Sequence, residues 1–274
     1  MTPSVTTTAT LTVRLLGRLE VEFDAAPVRF TGRHAQALIA LLALRPRPRL
    51  RDAIAADLWP DFDGPSGSSL RQALWLVRSN LVAAGIEPDR VLDAGQETLG
   101  IRRDLRVESD AAGFETLATA GPCGVAEAIA LYRGDLVESL GHECFATERE
   151  RLSDLYEDAL ATAAEAALAS GDVDAARRYA ALLLARDPIR EEAHAVLISA
   201  YGRAGSRSQV VRQYRRLCDV LRAELAVPPL PETDAVYREA IALTVARSAE
   251  RATMLSSAPR LDNRRLPRVL ATSA

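Results

Sequence analysis

The chain has 274 residues, 48% of them hydrophobic, which suffices for two domains of ordinary size with cores of their own. A net charge of −3 excludes a globally basic nucleic-acid binder, so any surface for DNA must be local. Three scattered cysteines (Cys123, Cys144, Cys218) give no disulfide framework and fit a reducing, cytoplasmic setting.

No apolar run approaches the ~18 residues that span a membrane. Residues 1–10 are Thr-rich and are expected to form a disordered tail. Residues 11–16 and 19–23 alternate apolar and polar side chains as half-buried strands do, residues 24–27 read as a turn, and residues 28–30 as a third strand. A first helix is predicted over 32–44, stopped by Pro46 and Pro48, and a second over 50–59, stopped by Pro60. Residues 61–67 form a loop rich in Gly, Pro and Ser. A third helix runs from Ser68 to just before Gly85. Short strands are expected at 91–92, 98–102 and 106–107, with Arg103-Asp104 as the turn of a hairpin.

In the third helix, Leu70, Leu74, Val77 and Leu81 recur at helical spacing and must face the core. The opposite face then carries Ser68, Arg71, Gln72, Trp75, Arg78 and Ser79, with no acid anywhere between Ser66 and Ala84. Such a face suits approach to phosphates, with Arg able to pair guanine and Gln adenine in the major groove. Two helices before it and an arginine-bearing hairpin after it (Arg102, Arg103, Arg106) complete the pattern of a winged helix-turn-helix.

From Asp110 to about Val245 the pattern is helical. Gly171 and Gly205 stand 34 residues apart, and around them Ala176 matches Val210, Leu183 matches Leu217 and Ala167 matches Tyr201. That period is the one of tetratricopeptide-like helical hairpins, with Asp187-Pro188 closing the first unit and Tyr201 and Tyr214 as packing residues of the second. Residues 246–274 are polar and aperiodic and are expected to be a second disordered tail. The fold class is therefore mainly α with small β elements. A winged helix-turn-helix is expected over 11–108 and an all-α repeat domain over 109–245.

His142 and Cys144, with Cys123 upstream, lack a fourth ligand for zinc, and no catalytic motif is present. We expect no metal, no cofactor and no enzymatic activity.

The residues that read LTVRLLGRLEVEFDAAPVRFTGRHAQALIALLAL over 11–44 resemble the opening of the Streptomyces antibiotic regulatory protein family. The resemblance continues through Leu58-Trp59-Pro60, the third helix, Leu131-Tyr132-Arg133-Gly134 and Glu148-Arg149-Glu150-Arg151-Leu152. It runs on through residues 187–194, Gln213-Tyr214 and Pro231-Glu232-Thr233. It implies a winged helix joined to a bacterial transcriptional activator domain. It further implies double-stranded DNA with promoter direct repeats as one partner and RNA polymerase as another. The implied role is activation of a biosynthetic gene cluster for a secondary metabolite. The implied polymerase-contact loop carries Asp61 and Asp63. The helical domain is expected to mediate homodimerisation or contact with the transcription machinery. The chain departs from the family at His34, Gln36, Trp75-Leu76-Val77-Arg78-Ser79 and Phe145. These departures support the alternative, a protein-interaction adaptor whose winged helix has lost DNA binding.

Overall fold

The computed structural model describes residues 9–60, 67–121 and 123–257, and divides into two compact units, Met1–Ala166 and Ala167–Ala274. The division falls inside one long helix.

The first unit opens with β1 (Thr10–Arg14), β2 (Glu20–Phe23) and β3 (Ala26–Val28). Asp24 and Ala25 both have positive φ, which is the geometry a two-residue hairpin between β2 and β3 requires. Helix α1 (Arg33–Leu44) follows, then the two-residue strand β4 (Arg49–Leu50), helix α2 (Arg51–Leu58) and helix α3 (Gly67–Ala83). Helix α1 is rich in Ala and Leu, and eight of its twelve residues are buried. Strands β5 (Leu92–Ala94), β6 (Thr98–Ile101) and β7 (Arg106–Ser109) come next. One sheet has the order β3-β2-β1-β7, the other β4-β6-β5.

This topology corrects the expected hairpin. The chain does turn at Arg102–Leu105, where the Leu105 N–H donates to the Arg102 carbonyl. Strand β7 then leaves β6 and pairs in parallel with β1, Leu11 opposite Val107. Both edges of β6 are already occupied, by β4 and β5, so residues 106–109 must pair elsewhere. The true hairpin joins β5 to β6, and its turn holds Gly95, Gln96 and Glu97 with no arginine.

Helices α4 (Asp110–Thr119) and α5 (Val125–Leu131) complete the unit with the first part of α6 (Ala146–Ser170). Strand β1 ends at Arg14, short of the expected residue 16, because the next backbone groups turn to a side chain. The Leu15 and Leu16 N–H groups donate to the two oxygens of Asp110, at 2.6 and 3.2 Å. Arg133 lies 3.5 Å from the same carboxylate, whose side chain is 7% exposed. The segment after Arg133 docks beside it: Gly17 N–H donates to the Asp135 carbonyl and Val137 N–H to the Leu15 carbonyl. Gly134 permits this close approach, since a Cβ there would lie 3.0 Å from the Gly17 Cα. Tyr132 stacks on Tyr156 with ring centroids 4.0 Å apart, and Arg149 donates to the carbonyls of Leu136 and Leu140. The motifs at 131–134 and 148–152 thus serve architecture.

The second unit contains α7 (Val173–Arg186), α8 (Glu191–Arg203), α9 (Arg207–Glu224) and α10 (Pro231–Ser257). Its turns repeat bond for bond at a spacing of 34. Gly171 and Gly205 both have positive φ, at 85° and 73°. Asp172 N–H donates to the Ala167 carbonyl as Ser206 N–H donates to that of Tyr201, both at 2.9 Å. Ala176 and Val210 are both wholly buried, as are Leu183 and Leu217. The two helical hairpins thus repeat the same turn at the expected spacing, with α10 packed on α8 and α9 at their end. Gly202 lets α8 approach α10, because a Cβ there would lie 2.8 Å from that of Ala240. Tyr214 donates to Asp234 and stacks on Tyr237, centroids 4.0 Å apart. Helix α10 runs to Ser257, so the tail expected from residue 246 is helical for its first twelve residues. Residues 258–274, and residues 1–8 of the N-terminal tail, lie outside the described residues; Thr10 opens β1. The sequence lost the end of α10 because that end carries no apolar periodicity of its own.

His194 is buried, with Nε2 at 3.0 Å from the Pro188 carbonyl and Nδ1 at 2.9 Å from Gln213 Nε2. The bonds fit a neutral ring that donates through Nε2 and accepts at Nδ1. Burial, ahead of the Arg216 charge, holds its pKa below the ordinary value.

Two outcomes are expected. Asp110→Ala leaves two shielded N–H groups orphaned, at about 1–3 kcal/mol each, and chemical denaturation should show the loss. A depressed histidine pKa contributes stability above the unfolded-state value, about 6.5, and that stability is lost as pH falls below it. Melting between pH 7 and pH 5 should therefore drop less steeply in His194→Gln than in the native chain.

Candidate nucleic-acid interface

Helix α3 buries Leu70, Ala73, Leu74, Val77 and Leu81, the apolar row expected from the sequence together with one alanine. At ~100° per residue, positions 68, 71, 72, 75, 78, 79 and 82 then share one stripe about 120° wide. Arg71 and Gln72 are exposed, and Trp75 is 65% exposed. Ser68 and Ser79 are half-buried. Val82, 61% exposed, extends the stripe and was not singled out from the sequence.

Arg78 is held differently. It is half-buried, and its Nη2 lies 3.4 Å from Asp89 Oδ1. Asp89 sits in the short 3-10 turn Pro88–Arg90 between α3 and β5. Its carbonyl accepts from Arg102 Nη1, also at 3.4 Å. One acidic residue therefore gathers an arginine from the helix and one from the strand region. No local pattern signals it, because Asp89 lies eleven positions beyond Arg78 and outside the helix.

Arg102 is fork-paired to Asp104, with contacts of 2.8 and 2.7 Å. That hydrogen-bonded guanidinium holds the Asp104 carboxyl below the usual range. Arg106 Nε lies 2.9 Å from Glu108. These pairs are exposed, so they hold their arginines weakly against a phosphate. Arg103 is exposed and has no ion pair among the described residues.

The arginine run before α2 is split by the fold. Arg45 and Arg49 both face Asp57, at 3.9 and 2.7 Å. Arg51 donates to the Gly95 carbonyl in the β5–β6 turn. Arg47 stays exposed and lines a groove of about 640 Å³ with Pro46, Pro48, Arg102, Arg103 and Leu105. The structure thus brings Arg47 to Arg102 and Arg103, a convergence that sequence separation concealed. Asp61 and Asp63 lie outside the described residues.

A three-helix unit with an exposed, acid-free helix stripe, flanked by small sheets and followed by helical hairpins, defines a winged-helix protein with a helical module. Comparison with known proteins places it further. Residues 108–241 match the bacterial transcriptional activator domain. The chain is 30% identical to the transcriptional regulatory protein EmbR of Mycobacterium bovis and of Mycobacterium tuberculosis. Those matches cover 84% of this chain and 63% of each relative, so the chain spans under two thirds of their length. A solved structure of Mycobacterium tuberculosis EmbR in complex with a low-affinity phosphopeptide shares the fold, with a TM-score of 0.68 at 24% identity. That likeness covers 90% of this chain and 71% of that one. These likenesses agree with the resemblance to the Streptomyces antibiotic regulatory protein family and show a chain similar to transcriptional regulatory proteins that carries a bacterial transcriptional activator domain.

The stripe is separable from the fold. Arg71→Ala and Gln72→Ala should each shift unfolding by no more than about 0.5 kcal/mol, as exposed positions do. Leu74→Ala, on the buried side of the same helix, should cost about 2–5 kcal/mol. Paired denaturation curves check both.

Proposed function

We propose that this chain is a sequence-specific, DNA-binding transcription activator that works in the cytoplasm. The observation that carries this reading is the stripe of α3, where Arg71, Gln72 and Trp75 face solvent on a helix without a single acid. Arginine and glutamine are the side chains that pair base edges in the major groove. Arg47, Arg102 and Arg103 supply phosphate contacts beside it, which fix register without reading sequence. The name of the relatives, transcriptional regulatory protein, supports the same reading.

On this reading the tetratricopeptide repeats of the second unit bind a protein, either a second copy on a promoter direct repeat or RNA polymerase. Their groove of about 620 Å³ is lined by Arg177, Arg178 and Arg216 with Tyr201, Gln213 and the acid Asp174, a net positive set that suits an acidic segment. The genes switched on are those of a secondary-metabolite cluster, and the action is regulatory, not catalytic.

A second reading has its own observation. Arg78 and Arg102 both engage Asp89, while Trp75 and Val82 expose apolar surface on the same stripe. That combination suits a protein-interaction adaptor.

Gel-shift titration on the chain's own upstream region separates the two. With about six phosphates neutralised, affinity should fall roughly 10³-fold between about 50 and 200 mM salt. Arg71→Ala should weaken specific binding by about 1–3 kcal/mol. Asp89→Asn removes a like charge from the phosphate-facing side and frees both arginines, so it should tighten binding. No salt-dependent shift, with Asp89→Asn silent, would favour the adaptor.

A further inference from the structure

Trp75 holds the central position of the α3 stripe. At ~100° per residue the stripe is bordered by Arg78 on one side and Gln72 on the other, and Trp75 falls midway between them. It also falls midway along the stripe, between Ser68 and Val82. Its neighbours at i−4, i−3, i+3 and i+4 are Arg71, Gln72, Arg78 and Ser79, all polar and none acidic. The side chain is 65% exposed, the highest value among the large hydrophobic residues described.

The fold gives this ring nothing to do. Its indole has no hydrogen bond and no ring contact among the described residues. The other tryptophan of the chain, Trp59, is half-buried with its ring 5.3 Å from that of His34. An aromatic side chain contributes its large apolar area only when a partner covers it. The partner of Trp75 must come from outside the chain's own core.

The surroundings select the chemistry of that partner. An indole N–H, two guanidinium groups, an amide and a hydroxyl present donors around one flat apolar surface. Arg78 is the one neighbour already engaged, by Asp89 at 3.4 Å. Val82, the other exposed large apolar residue of the stripe, lies two turns further along the helix. A matching surface therefore offers acceptors around a single isolated apolar group. The major-groove edge of an A·T pair has that form: the thymine C5 methyl stands beside O4, with purine N7 atoms close by. Cytosine at the same place lacks the methyl and presents a donor instead. A helix ~10–12 Å across fills a groove ~12 Å wide, so the residue at the middle of the inward face meets base edges rather than phosphates.

We propose that Trp75 is a specificity-determining residue whose indole covers the C5 methyl of a thymine in the recognised DNA. The proposal rests on α3 being the helix that enters the groove, and it assigns what the centre of that helix reads.

The test begins with the full-length chain selecting duplexes from a random pool at fixed ionic strength. Each thymine of the enriched site is then replaced singly by deoxyuridine, which deletes the methyl and leaves O4 and the base pairing intact. At one thymine of the recognised element the native chain should lose affinity about fourfold, as expected for one methyl-sized group covered by the indole. Trp75→Ala should bind the thymine duplex about tenfold more weakly and no longer distinguish it from the uracil duplex, with unchanged circular dichroism. Arg71→Ala should weaken both duplexes and leave their ratio standing. A contact readout accompanies this on the native chain. With 5-iododeoxyuridine at the same position, the iodine stands where the methyl stood, and near-ultraviolet irradiation should cross-link the DNA to Trp75. That readout decides if Trp75→Ala fails to fold. An enriched site in which no thymine-to-uracil change separates the native chain from Trp75→Ala overturns this assignment and leaves the DNA-binding reading in place. Cross-links that form at other residues and never at Trp75 do the same. A pool that yields no enriched duplex overturns both.

Discussion

The carboxylate of Asp110 is the junction on which the first unit depends. It accepts from the backbone of Leu15 and Leu16 where β1 ends, and Arg133 stands over it. It is also the first residue of α4. One buried group therefore terminates a strand, begins a helix and anchors the segment that follows Arg133. The backbone groups it satisfies have no sheet partner at that point, and leaving them unpaired away from water is expensive. These bonds tie residues on both sides of position 108, where the activator-domain match begins, into the same compact unit. The winged helix and the first activator helices share one polar seam.

The second unit is organised by a different constraint, the cost of left-handed backbone. Gly171 and Gly205 take positive φ at the helix ends, which glycine adopts without strain. Each reverses the chain in the same way, so the helices that follow bury Ala176 and Val210 at matching positions. The buried Gln213–His194–Pro188 chain then fixes α9 against α8 with every member paired. Pro188, Tyr201 and Tyr214 emerge as packing and hydrogen-bonding residues of this frame.

The electrostatics of the interface illustrate how a near-neutral chain makes a local surface. Helix α3 keeps its stripe free of acids, while acids elsewhere hold the surplus arginines. Asp57 takes Arg45 and Arg49, Asp104 takes Arg102, and Glu108 takes Arg106. Arg47, Arg71 and Arg103 stay exposed at the interface, with no ion pair among the described residues. Asp89 is the exception that reaches into the stripe itself, through Arg78.

Much of this was legible in the sequence, because it rests on local rules. The apolar rows of α1 and α3, the proline stops after α1 and α2, and the 34-residue glycine spacing all express periodicity or backbone sterics. They act within a few residues and need no tertiary context. The faces of α3 were legible for the same reason, since a helix fixes which side chains share a stripe. What only the tertiary structure decided is long-range pairing. Strand β7 joined β1 rather than β6 because β6 had no free edge, and no local signal records which edges are taken. Asp110 and Asp89 belong to the same class. Each depends on groups from separate elements, eleven residues apart or more, satisfying one another's polar atoms. Sequence determines the local elements and which of their faces are apolar; the closing of hydrogen bonds between distant segments is settled only when the chain is folded.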